Sequence, residues 1–140
     1  MQREELNFLL QKSDFSALKE LYQKIKKAYD IVVLQSPTQQ TLLQPIHDPI
    51  SQGEFYGGEI LVTTTIVTVE NKSNKGWAMV MDESEKLSLY IAVCDGAYGG
   101  GYYKEEIEQL AQTTQKSIKN LQERENQKVN ATKVNFDLMA

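Results

Sequence analysis

The stretch from Glu54 to Asn71, EFYGGEILVTTTIVTVEN, restricts the fold more than any other. It reads as one long β-strand, yet it lacks the apolar–polar alternation of a strand with one wet face. One face carries Tyr56, Gly58, Ile60, Val62, Thr64, Ile66 and Thr68. The other carries Phe55, Gly57, Glu59, Leu61, Thr63, Thr65, Val67 and Val69. Both faces are apolar or threonine, so the strand calls for cover on two sides.

The flanking segments supply candidates for that cover. Leu6, Leu9 and Leu10 have helical spacing, and Ser13 and Asp14 interrupt them and can cap a second helix. That helix carries Leu18, Leu21, Tyr22, Ile25, Ala28 and Tyr29 on one stripe, with its lysines mostly elsewhere. DIVVLQSP and TLLQPIHDP read as two short β-runs, ended or broken by Pro37, Pro45 and Pro49. Proline removes a ladder donor, so these runs belong at a sheet edge. Ser51 to Gly53 read as a turn, and ENKSNKG as a hairpin loop. In KGWAMVM, Trp77, Met79 and Met81 face one way, and the thin Gly76, Ala78, Val80 face admits a close neighbour.

DESEKLSLYIAVCDGAY reads as a helix capped by Asp82, with Glu85 three residues on. It is apolar nearly all round, as a helix buried on several sides must be. The glycines at 99–101 break it, and a solvated helix with a narrow stripe follows from near Lys104. Val134, Phe136 and Leu138 alternate at the C-terminus, as in an extended tail. The whole reads as a single α+β domain: 1–29 helical, 30–81 mainly an antiparallel sheet of about four strands, 82–128 two helices, 129–140 an extended tail.

Bulk properties narrow the function. The chain has 140 residues and a formal net charge of -4, which gives no electrostatic reason for a nucleic acid or an anionic membrane as partner. No stretch is long and apolar enough to span a bilayer, and no secretory run opens the chain, so the expectation is a cytoplasmic protein. With one cysteine, Cys94, and one histidine, His47, neither a disulfide nor a Cys/His metal cluster can be built from this chain alone.

Searching for catalytic constellations yields single residues. NKSNKG lacks the spacing of a phosphate-cradling loop, which leaves Lys72 and Lys75 as solvated charges, and GGG lacks a dinucleotide fingerprint. Cys94 has helical spacing on an apolar face and reads as a buried, inert thiol. His47 beside Asp48 is a possible base without a visible second member. Glu59 and Asp95 stand in apolar surroundings, and a buried carboxylate needs donors from backbone N–H groups, an arginine or a partner chain. Both read better as hydrogen-bonding anchors than as catalytic acids. The aromatics Phe55, Tyr56, Tyr98, Tyr102, Tyr103 and Phe136 surround glycine-rich points and suggest a surface for a partner.

Three motifs in order carry a resemblance: FYGGEILVT at 55–63, GWAMVMDESEKLSLYIAVCDGA at 76–97 and VNATKVNF at 129–136. Together they resemble the PhnG family, the G subunit of the bacterial carbon–phosphorus lyase system. Gly58, Glu59, Ile60, Leu61, Val62 and Thr63 match the opening of its long strand. Val93, Cys94, Asp95, Gly96 and Ala97 match its central helix. Asn130, Thr132 and Phe136 fall in its C-terminal signature. Departures are Met81-Asp82 where a glycine is usual, Cys94 where an aliphatic is usual, and YGGGYYKEE.

The resemblance implies a subunit of the core complex acting with H, I and L subunits. In the implied reaction, adenine of ATP is displaced by an alkylphosphonate, giving a phosphonate-bearing ribose triphosphate. The implied partners are the H, I, J and L subunits, with the I subunit closest. ATP is then a substrate of the complex and the iron–sulfur cluster belongs to the J subunit, so this chain itself holds no cofactor, metal or catalytic residue. Its structural or interface candidates are Phe55, Tyr56, Gly58, Glu59, Thr63, Asp95, Asn130, Thr132 and Phe136. Two other readings stand beside it: a stand-alone enzyme using Glu59, His47 or Asp95, and a homo-oligomeric structural or binding module.

Overall fold

A computed structural model describes the backbone of residues 2–47, 54–81 and 84–139, and the side chains of 2–42, 59–81 and 84–128. In chain order the elements are α1 (Arg3–Gln11), α2 (Phe15–Ala28), β1 (Ile31–His47), β2 (Glu54–Val69), β3 (Lys75–Met81), α3 (Glu85–Gly99) and α4 (Lys104–Met139). The strands form one antiparallel sheet in the order β1-β2-β3.

β2 is central, and β-branched residues fill it from Val62 to Val69, where stiff side chains suit a pleated surface. From Val62 to Val69 both of its faces are buried, with Ile66 half-buried. Thr63, Thr65, Val67 and Val69 stand beside Val80, Ala78 and Gly76 of β3 through the pairs Thr63↔Val80, Thr65↔Ala78 and Val67↔Gly76. α3 lies against this face. A Cβ at Gly76 would collide with Ala92 O and sit 2.8 Å from Gly96 Cα, so only glycine permits the approach. Where helix and sheet meet, Thr65 Oγ1 and Ser88 Oγ share a hydrogen bond of 2.7 Å, and Ser88 Oγ donates to Thr63 O at 3.2 Å. On the opposite face, Gln35 Nε2 donates to Thr64 Oγ1 at 3.0 Å.

α3 contacts the sheet and every other helix. Tyr90, Ile91, Ala92, Val93, Cys94, Ala97 and Tyr98 are all buried in a core shared with Leu6, Leu10, Leu18, Ile25, Ile107 and Ala111. An all-round apolar helix is thus the hub, as its composition requires. Asp14 caps α2 by accepting from Ala17 N at 3.2 Å.

Several expectations need correction. The two short runs before β2 are one strand of 17 residues, and the resulting three-stranded antiparallel sheet with four helices keeps the expected α+β class. The prolines do not end it, because β1 is paired on one side only and its register with β2 shifts around Pro37 and at Gln44/Pro45. The segment 129–140, read as an extended tail, continues α4 as far as Met139. No proline or glycine interrupts the chain after Gly101, so nothing local stops the helix. Ser84 holds the N-cap position of α3; Asp82, read as the cap, lies outside the described residues, as do Asp48, Pro49 and the turn at 51–53. Tyr102 and Tyr103, read as part of a surface for a partner, are half-buried within the chain itself. They pack on Tyr29 at ring-centroid distances of 4.3 and 6.0 Å, and Tyr98 is buried.

Candidate functional site

The described residues offer two kinds of place where function can reside: carboxylate and thiol chemistry around α3, and the exposed strand surfaces.

Asp95 sits where α3 crosses the outer edge of β3. Arg3 Nε donates to Asp95 Oδ1 at 3.0 Å and Arg3 Nη2 to Oδ2 at 3.3 Å. Asp95 Oδ2 also accepts from Trp77 N at 2.9 Å. The carboxylate therefore spends its acceptor capacity on a fork of guanidinium donors and one backbone N–H. Arg3 reaches further, with Nη2 donating to Lys75 O at 2.7 Å. Its guanidinium lies over Gly99, where a Cβ would sit 2.6 Å from Arg3 Cζ. Gly99 thus leaves room for the Arg3 guanidinium.

Arg3 is the first of three side chains doing the same task. Gln11 Nε2 donates to Met79 O at 2.9 Å, and Gln11 Oε1 accepts from Met81 N at 3.2 Å. Between them lies Asn7. With its amide turned to satisfy both ends, it donates to Met79 O at 3.0 Å and accepts from Met79 N at 3.2 Å. Four residues of helix rise about 6.0 Å and two residues of strand about 6.6 Å. Positions 3, 7 and 11 of α1 therefore keep pace with alternate residues of β3. A helix running along the strand closes the sheet edge with side chains instead of a fourth strand. Sequence reading missed this device; its visible signal is the i, i+4, i+8 spacing of Arg3, Asn7 and Gln11 on an otherwise leucine-bearing helix.

Cys94, next to Asp95, is fully buried. Burial first, and the neighbouring Asp95 charge second, push its thiol up to about 12 from an ordinary 9.0. It stays protonated and unreactive at neutral pH. Tyr98 OH donates to Glu108 Oε1 at 2.8 Å, and that bond holds the phenol proton above its usual range.

The remaining candidates scatter. Thr63 is buried under α3. Glu59 pairs in register with Leu43 and is exposed, so the burial expected of it is not met within this chain. Phe55 and Tyr56 stand opposite Ile46 and Pro45, and Gly58 opposite Gln44. The side chains of Phe55, Tyr56, His47, Asn130, Thr132 and Phe136 lie outside the described residues. His47 is opposite Glu54 in the register, far along the strands from the pairs that adjoin β3. Glu59, His47 and Asp95 thus do not converge on one point of the sheet. Among the described residues no group of three His, Cys, Asp or Glu side chains is placed to hold a metal.

The strand surfaces are different. β3 ends opposite Val62, so the β1–β2 ribbon from Thr41 to His47 and from Glu54 to Leu61 runs on as an arm of two strands. Leu42 and Leu61 on it are 37% and 36% exposed, and Trp77 and Met81 on β3 are 45% and 56% exposed. A two-stranded ribbon is marginal in water by itself, and exposed apolar residues along it mark a contact surface.

A family model described as phosphonate metabolism protein PhnG matches residues 1–140, the whole chain. The chain belongs to the PhnG family. Membership places the protein in phosphonate metabolism. No curated protein matches the chain. In this PhnG protein no helix among the described residues is long and apolar enough to cross a membrane.

Proposed function

We propose that this PhnG protein is a non-self-sufficient subunit of the carbon–phosphorus lyase core complex. It would act in the cytoplasm with the H, I and L subunits in transferring the ribose triphosphate moiety of ATP to an alkylphosphonate, with adenine displaced. Its task in this reading is to shape and support the active site of a partner chain, the I subunit first. ATP and the iron–sulfur cluster of the later step then belong to the complex and to the J subunit. The observation that carries the reading is the PhnG match over residues 1–140.

The geometry favours a supporting role. Asp95 is occupied by Arg3 and Trp77 N, and Cys94 is buried and held protonated. The two-stranded arm and the second half of α4, exposed from Leu121 to Lys128, extend past the helical core as binding elements would. Co-expression with the H, I, J and L subunits tests it. The chain is expected to co-purify with the I subunit, and ATP- and phosphonate-dependent adenine release is expected to need it. A chain that never co-elutes with the I subunit, or that releases adenine alone, would sink the reading.

A further inference from the structure

The 14 residues of α2 carry four lysines and one glutamate, in a chain whose net charge is -4. Helical spacing divides these charges between two sides. Phe15, Lys19, Tyr22 and Lys26 recur at steps of four, three and four residues and so share one stripe. Glu20, the single carboxylate of α2, lies on another side, where with Lys24 it lines a groove against Glu106 and Gln109 of α4. Asp14, beside Phe15, is engaged as the helix cap and accepts from Ala17 N. The stripe meets α3 at Tyr90. The Tyr22 ring stacks on Tyr90 at 4.4 Å between centroids, and Phe15 approaches Tyr90 at 5.7 Å. Lys26 Nζ stands over the Tyr22 ring, 5.9 Å from its centroid. Lys86 lies one turn before Tyr90 on the same face of α3. Lys19, Lys26 and Lys86 are exposed, Phe15 is 44% exposed and Tyr22 is half-buried. Three ammonium groups thus flank an aromatic floor on the surface of an acidic chain.

We propose that this patch binds a short acidic segment of a partner protein. Its carboxylates would meet Lys19, Lys26 and Lys86, and an apolar side chain between them would rest on Phe15 and Tyr22. Charge complementarity selects the occupant: the patch is cationic where the chain as a whole is anionic. The spacing of the cations favours separate carboxylates over one compact anion. Lys19 and Lys26 are seven residues apart, about 10.5 Å along the axis. A phosphate or triphosphate needs donors that converge on one point, and lysines on different turns do not converge. A long nucleic acid or an anionic bilayer reaches past the patch and meets the net charge of -4, whereas a segment of a few residues stays within it. Tyr22 is already stacked on Tyr90 and approached by Lys26, so it offers no free platform for a base. The inference does not depend on the phosphonate reading.

Fluorescence anisotropy of a labelled EDFLED peptide titrated with the full chain tests it. The probes for comparison are the uncharged peptide QNFLQN, an oligothymidylate and phosphatidylserine vesicles. EDFLED is expected to bind, and QNFLQN to bind roughly tenfold more weakly, as loss of three exposed ion pairs implies. Replacing all three lysines, Lys19→Gln, Lys26→Gln and Lys86→Gln, should weaken EDFLED by the same factor, while arginine at all three positions keeps it. Phe15→Ser should weaken both peptides alike, because the floor takes the apolar side chain. The three lysines are exposed, so their variants should keep the native circular dichroism spectrum and melting point. No binding of EDFLED, equal binding of the two peptides, or binding that ignores the lysine changes overturns the proposal. So does tighter binding of the oligothymidylate or the vesicles, because the patch then serves a polyanion. The measurement uses no ATP, phosphonate or other subunit, so its failure leaves the phosphonate reading standing.

Discussion

Arg3 and Asp95 meet in a two-pronged ion pair, Nε to Oδ1 at 3.0 Å and Nη2 to Oδ2 at 3.3 Å, joining the first helix to the hub helix across the outer edge of β3. The Asp95 side chain is 14% exposed and the Arg3 side chain 42%. Partial exposure limits what the pair itself contributes, to about 1 kcal/mol at most in a double-mutant cycle. Asp95→Ala costs more, about 1–3 kcal/mol, because Trp77 N also loses its acceptor. Urea denaturation of Arg3→Met, Asp95→Ala and the double variant checks both values. Asp95→Asn that assembles at full stability but stops phosphonate turnover would restore a catalytic role.

Gly76 is set against α3 with no room for a methyl group. Gly76→Ala should destabilise by about 3 kcal/mol, since the atoms a Cβ meets are backbone of Ala92 and Gly96 and cannot rotate away. A shift of the denaturation midpoint gives the number. A loss below about 0.5 kcal/mol would mean that α3 does not pack this closely.

Gln11 satisfies two backbone groups of the β3 edge at once. Gln11→Ala should lower stability by about 1 kcal/mol and leave part of that edge open. Light scattering during refolding should show more association than for the wild type, and Gln11→Glu should not restore the wild-type level because a carboxylate cannot donate to Met79 O. Equal behaviour of all three chains would remove the edge-closing role.

Cys94 ties stability to alkaline pH. Its folded-state value is raised, so its contribution is complete below the unfolded value of 9.0 and is lost as pH climbs toward about 12. The loss attributable to the thiol amounts to about 4 kcal/mol over that range. Cys94→Val should therefore lose less stability than the wild type between about pH 8 and pH 11, measured by urea denaturation. At neutral pH a thiol reagent should label the native chain only as fast as it opens. Rapid labelling of the folded protein would contradict the burial.

Much of the fold was legible because it rests on local pattern. Leu6, Leu9 and Leu10 on α1, and Leu18, Leu21 and Ile25 on α2, are buried as their spacing required. The thin Gly76–Ala78–Val80 face does admit a helix. The family was legible too, since its motifs are contiguous strings. The candidate site was less so. Glu59 looked buried beside aliphatic neighbours, but it lies on the part of β2 that β3 does not reach. The tyrosines after α3 looked like surface for a partner, but Tyr29, more than 70 residues earlier in the chain, covers Tyr102 and Tyr103.

The sequence alone determined the first three helices, the start of α4, the long two-sided strand and the all-round apolar hub, because hydrophobic periodicity and glycine and proline chemistry act over a few residues. Tertiary structure decided the rest. Whether a proline ends a strand depends on which side is paired, and the edge position expected of these runs lets Pro37 and Pro45 stay within β1. Whether Asp95 is a catalytic acid or an anchor depends on what stands 92 residues away, and Arg3 stands there. Hydrogen-bond partners are fixed by which surfaces meet, and no local pattern states that.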